Sequence, residues 1–460
     1  MTGLLGQQAL DGGDVATGGS GIRASRRAER RRSSRQPHLS RAFEGFRFPP
    51  FRWYMGAMIW WNAAVSMQML VSGYLAYHLT DSFVSLGVVS LGSAGPMLLL
   101  SPLGGVIADR SSRRAVLQFG QMASLVIALG VAALIFSDNL VFGHLVVAAL
   151  AQGTMSALVL PSRQSLLPEV VGMGRLMNAI PLQTAGMNLM QIFAPALGGF
   201  MIDWIGPGWV YVGMATMYAM SVGMLFFVQS LSPEESERSR VHAPANSFVA
   251  DEEALESAGP VGSLREISSG FVYLTRDRIT LTVLAFSFVA SIMGMPIRML
   301  MPGYVGAVFG HDGSTLGLLQ MGMGFGALFG ALVLAAIRLD RNRGLLLAAS
   351  AILVGISLIA FSLTGTYWLA WIAILIVGIG SAGRMSLGQI LVQEYVQNDY
   401  RGRVMAIYMM QFSLMSVGTF AVSLYMESVG AQTAIFTLGA GLILATVAFL
   451  AFVPRFRSID

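Results

Sequence analysis

From Trp53 onward, apolar stretches of about 20 residues recur along the chain, each as long as a helix must be to cross roughly 30 Å of hydrocarbon. They fall at 53–78, 84–108, 115–136, 140–162, 178–202 and 209–230, then at 280–308, 314–337, 345–363, 368–392, 404–426 and 432–453. The chain is 55% hydrophobic and only 12% charged, against about 25% charged in ordinary soluble domains, so no aqueous core can hide its apolar surface. The expectation is an all-α integral membrane protein of twelve transmembrane helices. A polar stretch separates spans six and seven. The organisation expected is therefore a basic N-terminal arm (1–50), a six-helix bundle (51–231), a linker (232–278), a second six-helix bundle (279–453) and a short tail (454–460).

All 29 basic residues are arginine, and their placement orients the chain. Arg110, Arg113, Arg114, Arg163, Arg175, Arg338, Arg341, Arg343, Arg401, Arg403, Arg455 and Arg457 fall on the side of the N-terminal arm. The opposite loops carry Asp81, Asp138, Asp203, His311, Asp312 and Glu427 and no arginine. By the positive-inside rule both termini face the cytoplasm, and the cytoplasmic (inner) membrane of a bacterium is the expected location. This boundary pattern, rather than a basic surface, accounts for the net charge of +5, so nucleic acid is not an expected partner. The arm lacks the apolar core and small-residue cleavage site of a signal peptide and has little to bury; it reads as a disordered segment whose arginines can meet anionic lipid headgroups. Leu264 to Leu274 reads as a short amphipathic interfacial helix, and Asp251, Glu252, Glu253 and Glu256 before it as a solvated tether.

The halves echo each other. Gln164 to Val171 after span four has a counterpart in Gln389 to Val396 after span ten, and the runs Arg175 to Ile180 and Arg403 to Ile407 follow them. A duplicated six-helix unit places a substrate site at the interface of the halves, near the midplane. Between spans two and three the chain reads Gly104-Gly105-Val106-Ile107-Ala108-Asp109-Arg110-Ser111-Ser112-Arg113-Arg114. Gly105 allows close helix approach, and Asp109 can accept hydrogen bonds from a helix N-terminus, a contact that would work as a latch.

This loop resembles the signature of the major facilitator superfamily, with Ser112 where that family usually has glycine. A narrower resemblance, to the bacterial exporters that include the enterobactin exporter, rests on Leu160-Pro161-Ser162-Arg163, on Leu166 to Glu169 and on Arg175 to Ile180. Ala194-Pro195 with Gly198-Gly199 and Arg401-Gly402-Arg403 fit it as well. Ala194 replaces the glycine expected before the proline. The resemblance implies two bundles related by a pseudo-two-fold axis, alternating access and efflux of a small molecule, with siderophore export and antiport against protons as the family's pattern.

Arg163 with Glu169 and Arg384 with Glu394 are candidate gating pairs, with Arg403 beside them; static headgroup-level charge is the alternative. Arg298, flanked by Pro296 and Pro302 in span seven, is the sharpest ionisable residue within a span, where a charge costs about 2.5–3.5 kcal/mol on insertion scales. It reads either as a cavity residue or as an anchor that snorkels outward. Asn62, Gln68, Asn188, Gln191, Gln320 and Gln411 are candidate cavity residues, or else helix–helix hydrogen-bonding groups. No Asp or Glu falls deep in a span, which argues against a dedicated pump for organic cations and leaves the coupling group unassigned. The 29 methionines suit a deformable apolar cavity. With no cysteine and no lysine there is neither a thiolate metal site nor a phosphate-cradling Gly-Lys loop; no metal, cofactor or enzymatic chemistry is expected, and energy must come from an ion gradient. The expected partners are a small-molecule substrate, a coupling proton and membrane lipids, with the chain acting as a monomer. The expected function is a secondary exporter of small amphipathic molecules. A broad multidrug pump, or a transporter-like receptor or lipid translocator, is the alternative.

Overall fold

The computed structural model describes residues 48–172, 175–228, 269–270, 272–310, 313–337, 342–397 and 400–453. Most of the arm and linker, the tail, and Arg338, Arg341, His311 and Asp312 lie outside them. Among the described residues every regular element is a helix. The first half holds α1 (Pro49–Thr80), α2 (Phe83–Arg110), α3 (Arg113–Phe136), α4 (Phe142–Val171), α5 (Leu176–Ile205) and α6 (Pro207–Leu225). The second holds α7 (Arg278–Gly294), α8 (Pro296–Phe309), α9 (Gly313–Ala336), α10 (Arg343–Leu363), α11 (Tyr367–Tyr395), α12 (Arg401–Val429) and α13 (Ala431–Phe452).

Helices α7 and α8 form one interrupted span. Proline has no N–H to continue the ladder, so the helix breaks at Met295 before Pro296 and restarts. Among the described residues, ten segments are long and apolar enough to cross a membrane. Of the twelve spans expected, α1 and α6 fall outside that set. Both carry polar and aromatic residues: α1 has Asn62 and Gln68, and α6 has Trp209, Tyr211 and Tyr218. They pack against each other and against α5 and α3.

The helix ends follow from local chemistry. Ser82 and Ser112 cap α2 and α3, their Oγ atoms accepting from the amides of Val84 and Ala115 at 3.2 and 3.3 Å. Ser112 therefore has a use of its own where the family has glycine; its φ of −64° needs no glycine, and loss of such a cap costs about 1 kcal/mol. Gly206 and Gly430 turn the chain at the ends of α5 and α12 with φ of 89° and 88°, a region closed to most side chains.

The start of α1 and the end of α13 lie at one end of the bundle, called here the near end, and the α1–α2, α5–α6 and α10–α11 turns mark the far end. Exposed Trp204, Trp209 and Trp368 ring the far end, as aromatic residues do at a membrane interface. Exposed Leu99, Val147, Phe329 and Leu444 form part of the apolar girdle. One hydrophobic core runs through both halves and includes the far-end residues Tyr77, Phe83, Ile202, Tyr304 and Leu316. A second, smaller core, with Phe51, Tyr54, Met58, Leu117, Leu166 and Val170, belongs to the near end of the first half alone. The halves thus share their interior at the far end and part at the near end.

Two pairs of helices make the main contacts between the halves, α5 with α9 and α2 with α12, and α8 adds contacts to α1 and α2. A Cβ on Gly317 would lie 2.7 Å from the Pro195 carbonyl oxygen, and one on Gly199 would lie 3.0 Å from the Gly317 Cα. A Cβ on Gly87 would lie 2.9 Å from the Phe420 Cα. The two bundles therefore approach backbone to backbone at two places, the proline–glycine run of the fifth span and Gly87.

Candidate functional site: a cavity between the halves

The seam encloses a cavity of about 550 Å³ lined by residues of α1, α5, α8, α9, α11 and α12, with α7 ending at its edge in Met295. Four of the polar residues expected there line it: Asn188 and Gln191 from α5, Arg298 from the first turn of α8, and Gln320 from α9. Arg298 stands two residues after the restart at Pro296 and is among the lining residues. Arg298 is the one charged group among the lining residues, and among the described residues nothing pairs with its guanidinium. Met69, Met295, Met323, Met385 and Met415 supply much of the apolar wall.

Three expected cavity residues lie elsewhere, each spent on a helix–helix hydrogen bond. Asn62 is buried and donates to the Met187 carbonyl at 2.7 Å, tying α1 to α5. Gln68 accepts from the Tyr218 hydroxyl at 3.1 Å, inside the first bundle. Gln411 accepts from the Ser291 hydroxyl at 2.8 Å, inside the second.

The expected gating pairs are also re-sorted. Glu169 pairs with Arg113 at 3.0 Å, not with Arg163. Glu394 pairs with Arg343, not with Arg384. Each pair joins the first turn of one helix to the last turn of its neighbour within a half, α3 to α4 and α10 to α11. The reason is reach: Arg163 lies two turns inside α4 and stacks over the Trp61 ring at 4.8 Å, whereas Arg113 stands beside the α4 terminus. Arg403 lies over the Tyr400 ring at 5.4 Å. Arg114 donates to the Val228 and Phe226 carbonyls at 2.8 and 2.7 Å, closing the end of α6. Arg110 is exposed, and the surroundings of Gly105 and the side chain of Asp109 lie outside the described set. The close approach in that loop falls at Gly104, against the Ala157 backbone.

Arg384 meets neither Glu394 nor the cavity. Its side chain is buried in the second bundle, 2% exposed, and donates to the Ser291 hydroxyl at 2.9 Å.

Sequence reasoning missed the contacts that hold the far end. The Asp203 carboxylate, at the end of α5, accepts from the amides of Gly313 and Ser314 at 2.8 and 2.7 Å, at the start of α9. The Glu427 carboxylate, at the end of α12, accepts from the Phe83 amide at 2.6 Å and the Ser82 hydroxyl at 3.1 Å, at the start of α2. Each is an anion on a helix N-terminus, where backbone N–H groups and the helix dipole favour negative charge, and each crosses from one half to the other. One faint signal was present: each carboxylate lies three residues before the glycine that ends its helix, Gly206 and Gly430.

Two helical bundles closed over a central cavity at one end and separated at the other define a polytopic membrane transporter. The sequence profile of the Major Facilitator Superfamily matches residues 53–419, and the chain belongs to that superfamily. Among curated proteins it is similar to the staphyloferrin A transporter of Staphylococcus aureus, 22% identical over 81% of this chain and 88% of that protein. It is also similar to the enterobactin exporter of Citrobacter koseri, 24% identical over 71% of this chain and 73% of that protein. Both relatives are siderophore transporters. Among solved structures the fold matches a POT family transporter (TM-score 0.66, 15% identity, 88% of this chain and 96% of that one). It also matches a D-xylose–proton symporter (TM-score 0.60, 13% identity, 88% and 97%). A transporter of this family binds a small molecule and is in general not an enzyme.

Proposed function

We propose that this chain is a secondary active exporter of small amphipathic molecules, anionic or neutral, of the siderophore or natural-product class, cycling by alternating access. The observation that carries the reading is Arg298: a cavity with methionine walls and a single unpaired cation takes an apolar body bearing oxygen-rich or anionic groups. The similarity to siderophore transporters supports the same class, and the kinship with an exporter supports outward movement. Twelve spans, cytoplasmic termini and residence in a bacterial cytoplasmic membrane complete the proposal. With that orientation the far end is closed outside, and the structure is an inward-facing state. Protons are the proposed coupling ion, and a single chain the proposed working unit.

In the cycle, Asp203 and Glu427 release the starts of α9 and α2 as the far end opens, while the near ends of the bundles approach. Asp109 would hold the near end in the opposite state, while the Arg113–Glu169 and Arg343–Glu394 pairs brace each half internally.

Everted membrane vesicles test the proposal. Energised vesicles should take up a catecholate siderophore in a manner that needs the protein and is abolished by a protonophore. The methionine wall also favours a second reading, a broad multidrug pump. Transport of a cationic dye in place of the siderophore would select that reading, and movement of neither would leave a receptor or lipid translocator.

A further inference from the structure

The second bundle contains a buried positive charge with more donors than acceptors around it. Arg384 is 2% exposed and lies on α11, on the face turned from the cavity toward α7 and α12. Its Nη1 donates to the Ser291 Oγ at 2.9 Å, and that hydroxyl donates onward to the Gln411 Oε1 at 2.8 Å. Arg384 Nε and Nη2, Gln411 Nε2 and the Ser287 hydroxyl are buried, and none has a partner among the described residues. Ser287 lies one helical turn before Ser291, on the same face of α7. The Tyr408 hydroxyl donates to the Met385 carbonyl at 3.2 Å, and its oxygen can accept from one of these donors but carries no charge to offset the guanidinium.

The described acidic residues of this half are all engaged elsewhere: Asp277 caps α7, Glu394 pairs with Arg343, and Glu427 caps α2. An arginine cannot shed its proton, and a buried unpaired charge costs several kcal/mol. The unmatched groups are donors, with the Ser287 hydroxyl able to serve as one. A species that supplies negative charge and accepts several hydrogen bonds would answer all of them at once.

We propose that Arg384, Gln411, Ser287 and Ser291 form a binding site for a small inorganic anion of chloride size, separate from the substrate cavity. Occupancy ties α7, α11 and α12 together, so the second bundle is stiffer with the anion than without it. The proposal stands on donor geometry and does not depend on the identity of the exported substrate.

The test uses the full chain in lipid nanodiscs, with sodium chloride replacing sodium gluconate at constant ionic strength. Chlorine NMR of the chloride signal should show protein-dependent broadening that saturates and is not reproduced by Arg384→Gln protein. The thermal midpoint should rise saturably with chloride in the parent and in Arg298→Gln protein, which keeps this site intact. If Arg384→Gln protein does not fold, Gln411→Met should shift the chloride dependence to at least several-fold higher concentration. Broadening absent in the parent, or unchanged in both Arg384→Gln and Gln411→Met, would mean that water alone satisfies these donors, and the anion site would be abandoned.

Discussion

The repeat that marks the two halves as copies puts Val159 and Arg384 at equivalent positions, each five residues before the matching glutamine, Gln164 or Gln389. In the first half the position is apolar: Val159 is buried and packs against Gly120 of α3. In the second half it is a buried cation with a set of unmatched donors. The ion pairs at the near ends and the carboxylate latches at the far ends are nearly symmetric, but the interiors are not. A duplicated scaffold keeps the contacts that any cycling pair of bundles needs, and leaves each interior free to specialise.

The largest effect is expected from carrying the charge to the wrong half. Val159→Arg would bury a guanidinium where the side chain at 159 already presses on Gly120, a loss on the order of several kcal/mol. Yield and thermal midpoint in detergent should fall sharply. A variant as stable as the parent would end the contrast between the interiors.

Next come the latches. The chain has no cysteine, so Ser423→Cys, at a buried site where α12 meets α2, gives a single reporter of far-end opening. Asp203→Asn and Glu427→Gln should each weaken a charge-assisted contact by about 1 kcal/mol, and together raise the maleimide labelling rate roughly 5- to 30-fold. Equal effects from the two single variants would sharpen the symmetry; an effect from one alone would break it.

A smaller, substrate-dependent effect is expected at Arg298. Arg298→Ala should weaken vesicle uptake of anionic substrates more than neutral ones, and equal losses for both would remove the electrostatic role. The smallest effect belongs to the near-end pairs. Arg113→Gln and Arg343→Gln break half-exposed contacts worth about 0–1 kcal/mol. Thermal midpoints should barely move, and a large loss in either would mean that its pair bears load in this state.

Much of the architecture was legible because membrane crossing is a local property: about 20 apolar residues suffice, whatever their neighbours. Pro296 and the Pro195–Gly199 run stand in the sequence, but only the structure showed that the first interrupts span seven and the second lies on the seam. The cavity was half legible. Asn188, Gln191, Arg298 and Gln320 line it, yet Asn62, Gln68 and Gln411 carry the same chemistry and do not. Helices apolar nearly all round give no sidedness from which to read which way a lone amide points. Ion pairing failed for a similar reason: Arg163 is closer in sequence to Glu169, but Arg113 is closer in space.

The sequence by itself determined that the chain must live in a bilayer, that its helices recur as apolar stretches of membrane-crossing length, and where its arginines cluster between them. Those are sums over local composition and position. Only the tertiary structure decided that Asp203 and Glu427, in contact with amides 110 and 344 residues away, hold the far end, and that Arg384 is sealed from the cavity that Arg298 enters. Both outcomes depend on how helices are rotated and which ends meet, and that is set by backbone approach at a few glycines rather than by any pattern along the chain.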